Sequence, residues 1–159
     1  MEKQDEKFMK IALKEAKKAY NEEEIPVGAI IVKDGKVIAR AHNQKEAKCD
    51  TTKHAEISAI QKASKKLSSW RLENCTMYVT LEPCTMCIGA VINARIKTVV
   101  FAVSDEKTGA CGSVLNIPEY KFNHIVEIKK GVLEEESKRL LQTFFKELRK
   151  KKGKNNGNK

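Results

Sequence analysis

The sequence predicts an α/β protein in which a sheet is covered by helices on both faces. An amphipathic helical pattern over residues 8–20 is followed by two extended segments, residues 27–33 and 36–41, which flank an Asp-Gly pair. Such a pair between two strand patterns is a strong signal for a tight hairpin. Residues 97–103 are almost continuously apolar, which is typical of a strand that is buried on both faces.

The later elements continue this alternation of helix and strand. Apolar residues recur at helical spacing in residues 54–66 and 134–150, whereas residues 76–81 and 125–128 have strand patterns. The strand over residues 76–81 leads directly into a helix, because Pro83 suits the first turn of one.

The length and composition indicate a single domain. The chain has 159 residues, of which 41% are hydrophobic and 33% charged, and this is enough for one sizeable core. From residue 151 onward the sequence contains no apolar residue. We predict one domain over residues 1–150 and a basic tail over residues 151–159, which we expect to be disordered.

Basic residues exceed acidic ones and are concentrated near the C-terminus. The 31 Lys and Arg against 21 Asp and Glu give a net charge of +10, which favours a polyanionic partner such as RNA. Seven of the bases and one acid fall in residues 146–159. Because lysine-rich tails also serve solubility, the tail supports RNA contact without establishing it.

The sequence carries no signal for membrane insertion or export. No apolar run approaches the roughly 20 residues of a membrane-spanning helix, and no apolar stretch of a secretory signal follows the charged residues 1–7. We therefore expect a cytoplasmic protein with no membrane partner. The five cysteines are an odd number, which argues against a disulfide framework and favours metal binding or catalysis.

Two short motifs combine residue types that bind metals. One reads H-A-E at residues 54–56 and the other P-C-T-M-C at residues 83–87, and each opens a predicted helix. Two thiolates at this spacing chelate one ion, and zinc suits such soft ligands, although the spacing does not distinguish zinc from iron. Three ligands, His54, Cys84 and Cys87, would leave a fourth tetrahedral position for water, as in a catalytic zinc site.

Glu56 is the candidate catalytic residue. A carboxylate beside an activated water takes its proton and passes it to a leaving group. Residues two apart on a regular helix point about 200° from each other. His54 and Glu56 therefore face one point only if they lie on an irregular or terminal turn.

Each motif alone is compatible with a non-catalytic role. A Cys-x-x-Cys pair also serves as a redox pair, as part of a structural zinc site, or as two buried small residues, and an isolated H-A-E segment carries little information. Their occurrence together, each at a helix start, favours a catalytic metal site. The remaining cysteines, Cys49, Cys75 and Cys111, are assigned no role.

The combined motifs resemble the signature of the zinc-dependent nucleoside and nucleobase deaminases, H-x-E followed by P-C-x-x-C. The bacterial tRNA adenosine deaminases of the TadA type are the closer match, with similarity from the first helix to about Arg149. The similarity is carried by I-P-V-G-A at residues 25–29, by Asn43, by residues 78–87 and by D-E-K-T-G-A-C-G-S at residues 105–113. The resemblance implies that residues 1–150 form a single deaminase domain, a cytidine deaminase-like, three-layer αβα sandwich with a mixed sheet of about five strands.

The same resemblance implies hydrolytic deamination of the wobble adenosine of a tRNA anticodon to inosine, with release of ammonia. One zinc ion per subunit, held by His54, Cys84 and Cys87, would activate water, and Glu56 would relay protons to the base. The implied partners are a tRNA anticodon stem-loop and a second copy of the chain in a homodimer. The substrate-binding residues carried over from the family are Val27, Asn43, Ala55, Leu81, Asp105, Phe145 and Arg149.

The chain departs from the family pattern beside the first metal motif. Where the family usually reads D-P-T-A before H-A-E, residues 50–53 read D-T-T-K. The change removes a proline and adds a charge next to His54. It either loosens the loop over residues 43–53 or adds a phosphate contact.

Two other functions fit parts of the same pattern. A deaminase of free guanine, cytosine or a nucleoside would use the same metal site, although it needs no contact with a phosphate backbone. A non-catalytic, zinc-stabilised RNA-binding module would keep the basic surface, although a structural site normally has four protein ligands. The basic tail argues against the first function and the open metal position against the second.

Overall fold

The computed structural model of the protein describes residues 2–157. Within that range the helices and strands alternate as the sequence predicts. Their bounds are α1 Glu2–Asn21, β1 Gly28–Lys33, β2 Lys36–His42, α2 Ala55–Leu67, β3 Cys75–Leu81, α3 Thr85–Asn93, β4 Thr98–Val103, β5 Glu127–Lys130 and α4 Glu134–Gly157, with a short 3-10 turn at Ile117–Glu119.

The five strands form one mixed sheet in the order β2-β1-β3-β4-β5. Strand β1 is antiparallel to β2 and β3, whereas β3, β4 and β5 are mutually parallel. The hairpin between β1 and β2 has positive φ at Asp34 (50°) and Gly35 (74°), which suits the right-handed twist of its strands. The predicted mixed, five-stranded αβα sandwich and its Asp-Gly hairpin are confirmed.

Helices cover the sheet on both faces. On one face α2 and α3 pack through Ala59, Ala63 and Val91. On the other face α1 packs through Phe8 and Met9, and α4 lies beside it against β4. Strand residues alternate between the two layers, which is why the apolar run of β4 is nearly continuous.

Glycine at position 28 allows α1 to lie unusually close to β1. A side-chain carbon there would overlap the backbone of Ala12 and Ala16 in α1. The I-P-V-G-A segment therefore fixes how closely the first helix packs on the sheet, just before the chain reaches the site.

The structure differs from the sequence prediction at two boundaries. The predicted strand over residues 125–128 lies two residues later, because pairing of Thr98 with Glu127 sets where β5 begins. The tail predicted to be disordered from Lys151 instead continues α4 through Gly157. Lysine is a good helix former, and Lys151 pairs with Glu23 at 2.8 Å. Residues 158–159 of the predicted tail lie outside the described residues.

No helix between residues 2 and 157 is long and apolar enough to cross a membrane.

Candidate active site

The two metal-binding motifs meet where α2 and α3 begin. His54 is the N-cap of α2, with extended backbone angles (φ −73°, ψ 151°). Cys84 is the N-cap of α3 and is also extended (φ −78°, ψ −180°), and Cys87 follows in the first turn. Both helices thus direct their N-terminal ends, with unpaired amides and positive dipole, at one point.

The ligand atoms of His54, Cys84 and Cys87 lie within 4.8 Å of one another. Nδ1 of His54 is 3.7 Å from Sγ of Cys84 and 3.5 Å from Sγ of Cys87. A tetrahedral ion bonded to sulfur at about 2.3 Å and nitrogen at about 2.0 Å separates such atoms by about 3.5 Å. The three side chains therefore fit a tetrahedral metal ion, and they form a candidate metal site.

Hydrogen bonding between Cys84 and Cys87 shifts the pKa values of the two thiols in opposite directions. The hydrogen bond from Cys87 lowers the pKa of Cys84 to about 4, against the effect of burial and with help from His54. The same hydrogen bond, together with burial, raises the pKa of Cys87. The hydrogen bond to Cys84 raises the pKa of His54. One thiolate, the form that binds metals, is thus already favoured by the protein itself.

Glu56 lies in the first turn of α2 and is 4% exposed. On a regular helix the side chains of His54 and Glu56 would point in nearly opposite directions. Because His54 instead precedes the helix with an extended backbone, both side chains line the same cavity. The terminal turn that their approach requires is therefore present. Burial raises the pKa of the Glu56 carboxyl, as is common for groups that exchange protons in enclosed sites.

A cavity of about 240 Å³ opens beside the metal site. It is smaller than the roughly 300–1,000 Å³ of pockets for drug-sized ligands, so its size suits a single base. Five of the predicted substrate-binding residues line it, together with His54, Glu56 and Cys84: Val27, Asn43, Ala55, Leu81 and Asp105.

The other two predicted substrate-binding residues lie elsewhere. Phe145 and Arg149 line a separate groove of about 340 Å³, which α4 forms with Ser104 and Lys107. Ser104 adjoins Asp105 in the chain, so the groove and the cavity share the segment that follows β4. Phe145 is 39% exposed and presents an aromatic ring beside the basic side chains of Lys107 and Arg149.

The loop over residues 43–53 is closed by hydrogen bonds despite its departure from the family pattern. The Asp50 carboxylate accepts hydrogen bonds from the amide and the hydroxyl of Thr52, at 2.8 and 2.6 Å. The amide of Gln44 donates to the carbonyl of Lys53 at 3.0 Å. An Asx-type turn thus replaces the rigidity that a proline provides.

Sequence reasoning missed four residues that line the cavity. Thr108 and Glu82 lie inside the motifs over residues 105–113 and 78–87, and Ile25 belongs to the I-P-V-G-A segment, so position within a motif was the available signal. No sequence signal pointed to Lys45. Lys45 lines the cavity because of the turn at Asn43, whose side-chain oxygen accepts a hydrogen bond from the Lys45 amide at 3.2 Å.

The fold and the site together are those of the cytidine deaminase-like deaminases. The family model of the MafB19-like deaminases matches residues 3–149. A tRNA-specific adenosine deaminase of Bacillus subtilis strain 168 is 52% identical over 150 residues, covering 94% of this chain and 93% of that protein. One of Aquifex aeolicus strain VF5 is 50% identical over 145 residues, covering 91% and 95%.

A solved structure described for A-to-I editing by tRNA:A34 deaminases has a TM-score of 0.82 and 41% identity, covering 84% of this chain and 98% of its own. A guanine deaminase of Bacillus subtilis has a TM-score of 0.60 and 33% identity, covering 74% and 86%. The chain belongs to the MafB19-like deaminase family, and within it is a deaminase of the TadA type.

Proposed function

We propose that the chain catalyses the hydrolytic deamination of adenosine to inosine at the wobble position of a tRNA anticodon. The observation that carries the proposal is the His/Cys/Cys cluster at a base-sized cavity, beside the buried Glu56. The activity named for relatives that are 52% and 50% identical over nearly the whole chain supports this choice of substrate.

Zinc is the metal that this donor set fits best, because it accepts mixed nitrogen and sulfur ligands in a tetrahedral arrangement. His54, Cys84 and Cys87 would hold it. When bound, zinc supplies a Lewis acid that lowers the pKa of water toward neutrality. The three protein ligands leave one position of a tetrahedron for that chemistry.

Glu56 moves the protons of the reaction. Its carboxylate accepts a proton from the water that attacks C6 of adenine, and delivers protons to the ring nitrogen and the departing amine. Adenosine and water thereby give inosine and ammonia. Enclosure of Glu56 keeps bulk water from competing for these protons.

The cavity walls hold the base. Val27 and Leu81 supply apolar contacts, and Ala55 lies at the start of α2. Asn43 supplies hydrogen bonding, and its side chain is held in place because its amide donates to the Ile25 carbonyl at 3.3 Å. Asp105 adds a carboxylate to the lining.

The anticodon stem-loop would occupy the groove beside α4. Lys107, Lys138 and Arg149 line this groove and provide charge for phosphates. The exposed Phe145 ring offers a surface on which a base stacks. A tRNA substrate agrees with the cytoplasmic location expected from the sequence.

The experiment that tests the proposal offers the zinc-loaded protein an anticodon stem-loop with adenosine at the wobble position, and in parallel free adenosine, guanine and cytosine. Inosine formed in the RNA alone is the expected result. Conversion of guanine instead would favour the alternative function, a deaminase of free bases, which the 33% identity to a guanine deaminase supports. Absence of any turnover with metal bound would favour a binding module.

Truncation after Lys150 is expected to weaken RNA binding mainly at low salt. The removed residues carry four of the chain's lysines, and each phosphate contact that is lost lowers the salt dependence of binding. The lost pair between Lys151 and Glu23 is exposed on both sides and contributes little. Fluorescence anisotropy with the stem-loop at two salt concentrations measures the effect. Equal affinity at low salt would exclude the tail from binding.

A homodimer is part of the proposal. The segment over residues 114–125 exposes five large apolar side chains, which suit burial against a second copy: Val114 (53%), Leu115 (46%), Tyr120 (57%), Phe122 (49%) and Ile125 (79%).

Sedimentation should give twice the chain mass for the wild type, and Ile125→Glu is expected to shift the protein toward monomer by placing a charge in the contact. Trp70→Glu changes another exposed large apolar residue (58%) outside this segment and serves as the control. A wild type that sediments as a monomer at micromolar concentration would contradict the homodimer.

A further inference from the structure

Two buried carboxylates other than Glu56 bind loops that contribute to the sides of the cavity. Glu24 is 1% exposed and Glu82 is 2% exposed. Burying a carboxylate is unfavourable unless hydrogen-bond donors surround it. In both cases the donors come mainly from the backbone of a loop distant in sequence.

Glu82 holds the segment that follows β4. One of its carboxylate oxygens accepts the amide of Asp105 at 3.1 Å and the hydroxyl of Ser113. The other accepts the amides of Cys111 at 2.9 Å and Ser113 at 3.2 Å. Both ends of the segment over residues 105–113 are therefore attached to one side chain, which itself follows the last residue of β3.

Gly109 leaves room for this attachment. A side-chain carbon at position 109 would overlap the carboxylate of Glu82. The amide of Gly109 donates to the carbonyl of Asp105 at 2.9 Å, so the turn folds tightly over the carboxylate. Asp105 and Thr108, which line the cavity, are carried on this turn.

Glu24 holds the second loop. Its two carboxylate oxygens accept the amides of Glu46 at 2.8 Å and Ala47 at 3.2 Å. Its own amide donates to the carbonyl of Ala19 at 2.9 Å, which ties it to the end of α1. This loop carries Asn43 and Lys45 into the cavity lining.

Each carboxylate is committed to the loop donors through both of its oxygens. Such charge-assisted hydrogen bonds are stronger than neutral ones. The loops themselves contribute few residues to the apolar core. Their positions therefore depend on these bonds more than on packing.

We propose that Glu24 and Glu82 are positioning residues that hold the two loop walls of the cavity at the separation a base requires. Glu24 acts through Asn43 and Lys45, and Glu82 acts through Asp105 and Thr108. The proposal rests on the proposed function, since the walls matter for a base that enters between them.

The test compares Glu24→Gln and Glu82→Gln with Glu15→Gln. Each change replaces one acceptor oxygen with a donor amide that faces the partner's N–H. Glu15 is also buried, at 4% exposure, but it bonds Lys18 and His42 and holds neither wall. It is therefore a control for the loss of a buried carboxylate as such.

For both wall variants we expect the KM for the stem-loop to rise by about tenfold to a hundredfold, because a displacement of about 1 Å has effects of that size. The kcat should stay within about threefold, because the reacting groups are unmoved and uniform binding is lost. Metal content should match the wild type. Glu15→Gln should lower Tm but leave KM unchanged.

A double-variant comparison tests the link to Gly109. Gly109→Ala pushes on the Glu82 carboxylate from the loop side and should raise KM in the same way. Because both changes displace the same turn, combining Gly109→Ala with Glu82→Gln should add little to the larger single effect. Ser113→Ala removes the side-chain hydrogen bond alone and gives a milder variant if Glu82→Gln does not fold.

Amide hydrogen exchange provides a readout that does not require turnover. Glu82→Gln should speed exchange at Asp105, Cys111 and Ser113, and Glu24→Gln at Glu46 and Ala47. Wall variants that lower only Tm, as Glu15→Gln does, with unchanged KM and loop exchange, would overturn the proposal. Faster loop exchange in the variants, beside a wild type that binds metal but deaminates no RNA, would instead contradict the proposed function.

Discussion

Glu56→Gln is expected to lower kcat for the stem-loop by about 10²- to 10⁴-fold, the usual contribution of a positioned acid or base. The amide keeps the volume of the buried side chain but takes up no proton. Metal content should stay at the wild-type level, because Glu56 is not one of the three residues of the metal cluster. Single-turnover assays, with metal analysis on the same samples, measure both quantities.

Glu73→Gln is the matched control for this variant. Glu73 is exposed and pairs with Arg71 at the surface, away from the cavity, so its kcat should equal that of the wild type. A Glu56→Gln protein that still deaminates at a rate near that of the wild type would remove Glu56 from the chemistry. Loss of metal together with activity would instead make Glu56 part of the metal site.

Cys87→Ser is expected to abolish both metal binding and activity. The thiolate is the soft ligand that the site requires, and a serine hydroxyl does not replace it. Metal bound at about 1,000 times its Kd stabilises a protein by about 4 kcal/mol. Its loss should therefore lower Tm by about 8 to 16 °C for a chain of this size. Metal analysis after dialysis and thermal unfolding measure these effects.

Cys75→Ser controls for the burial of the new hydroxyl. Cys75 and Cys87 are both 0% exposed, but Cys75 lies outside the metal cluster. The Cys75→Ser protein should lose some stability and keep its metal. A chelator should therefore lower the Tm of this variant, as it does for the wild type. A Cys87→Ser protein that retained metal through dialysis would contradict the ligand assignment.

The metal cluster could be predicted from the sequence because its information is local. Each motif spans only a few consecutive residues at the start of a helix, so its ligand spacing is visible in the sequence without the fold. The same reasoning required a terminal turn for His54 and Glu56, and the extended backbone at His54 supplies it. The burial of β4 on both faces could also be predicted from its apolar run, because the two faces of this strand pack against different helices.

The boundaries of β5 and α4 could not be predicted in the same way. Pairing with β4 decides where β5 begins, and Ile125, which the sequence pattern assigned to the strand, is 79% exposed. The last apolar residue of α4 is Leu148, so beyond it the helical period has no apolar residue that could mark where the helix ends.

The αβα layers, the hairpin, the candidate metal ligands and the candidate proton shuttle follow from the sequence, because periodicity and short motifs encode them. The separation between the cavity and the groove lined by Phe145 and Arg149 follows from the packing of α4 and is visible in the fold alone. The fold alone also reveals that Glu24 and Glu82 bind the cavity walls. The sequence does not mark these two residues, because each carboxylate accepts hydrogen bonds from backbone amides, and every residue except proline offers the same amide.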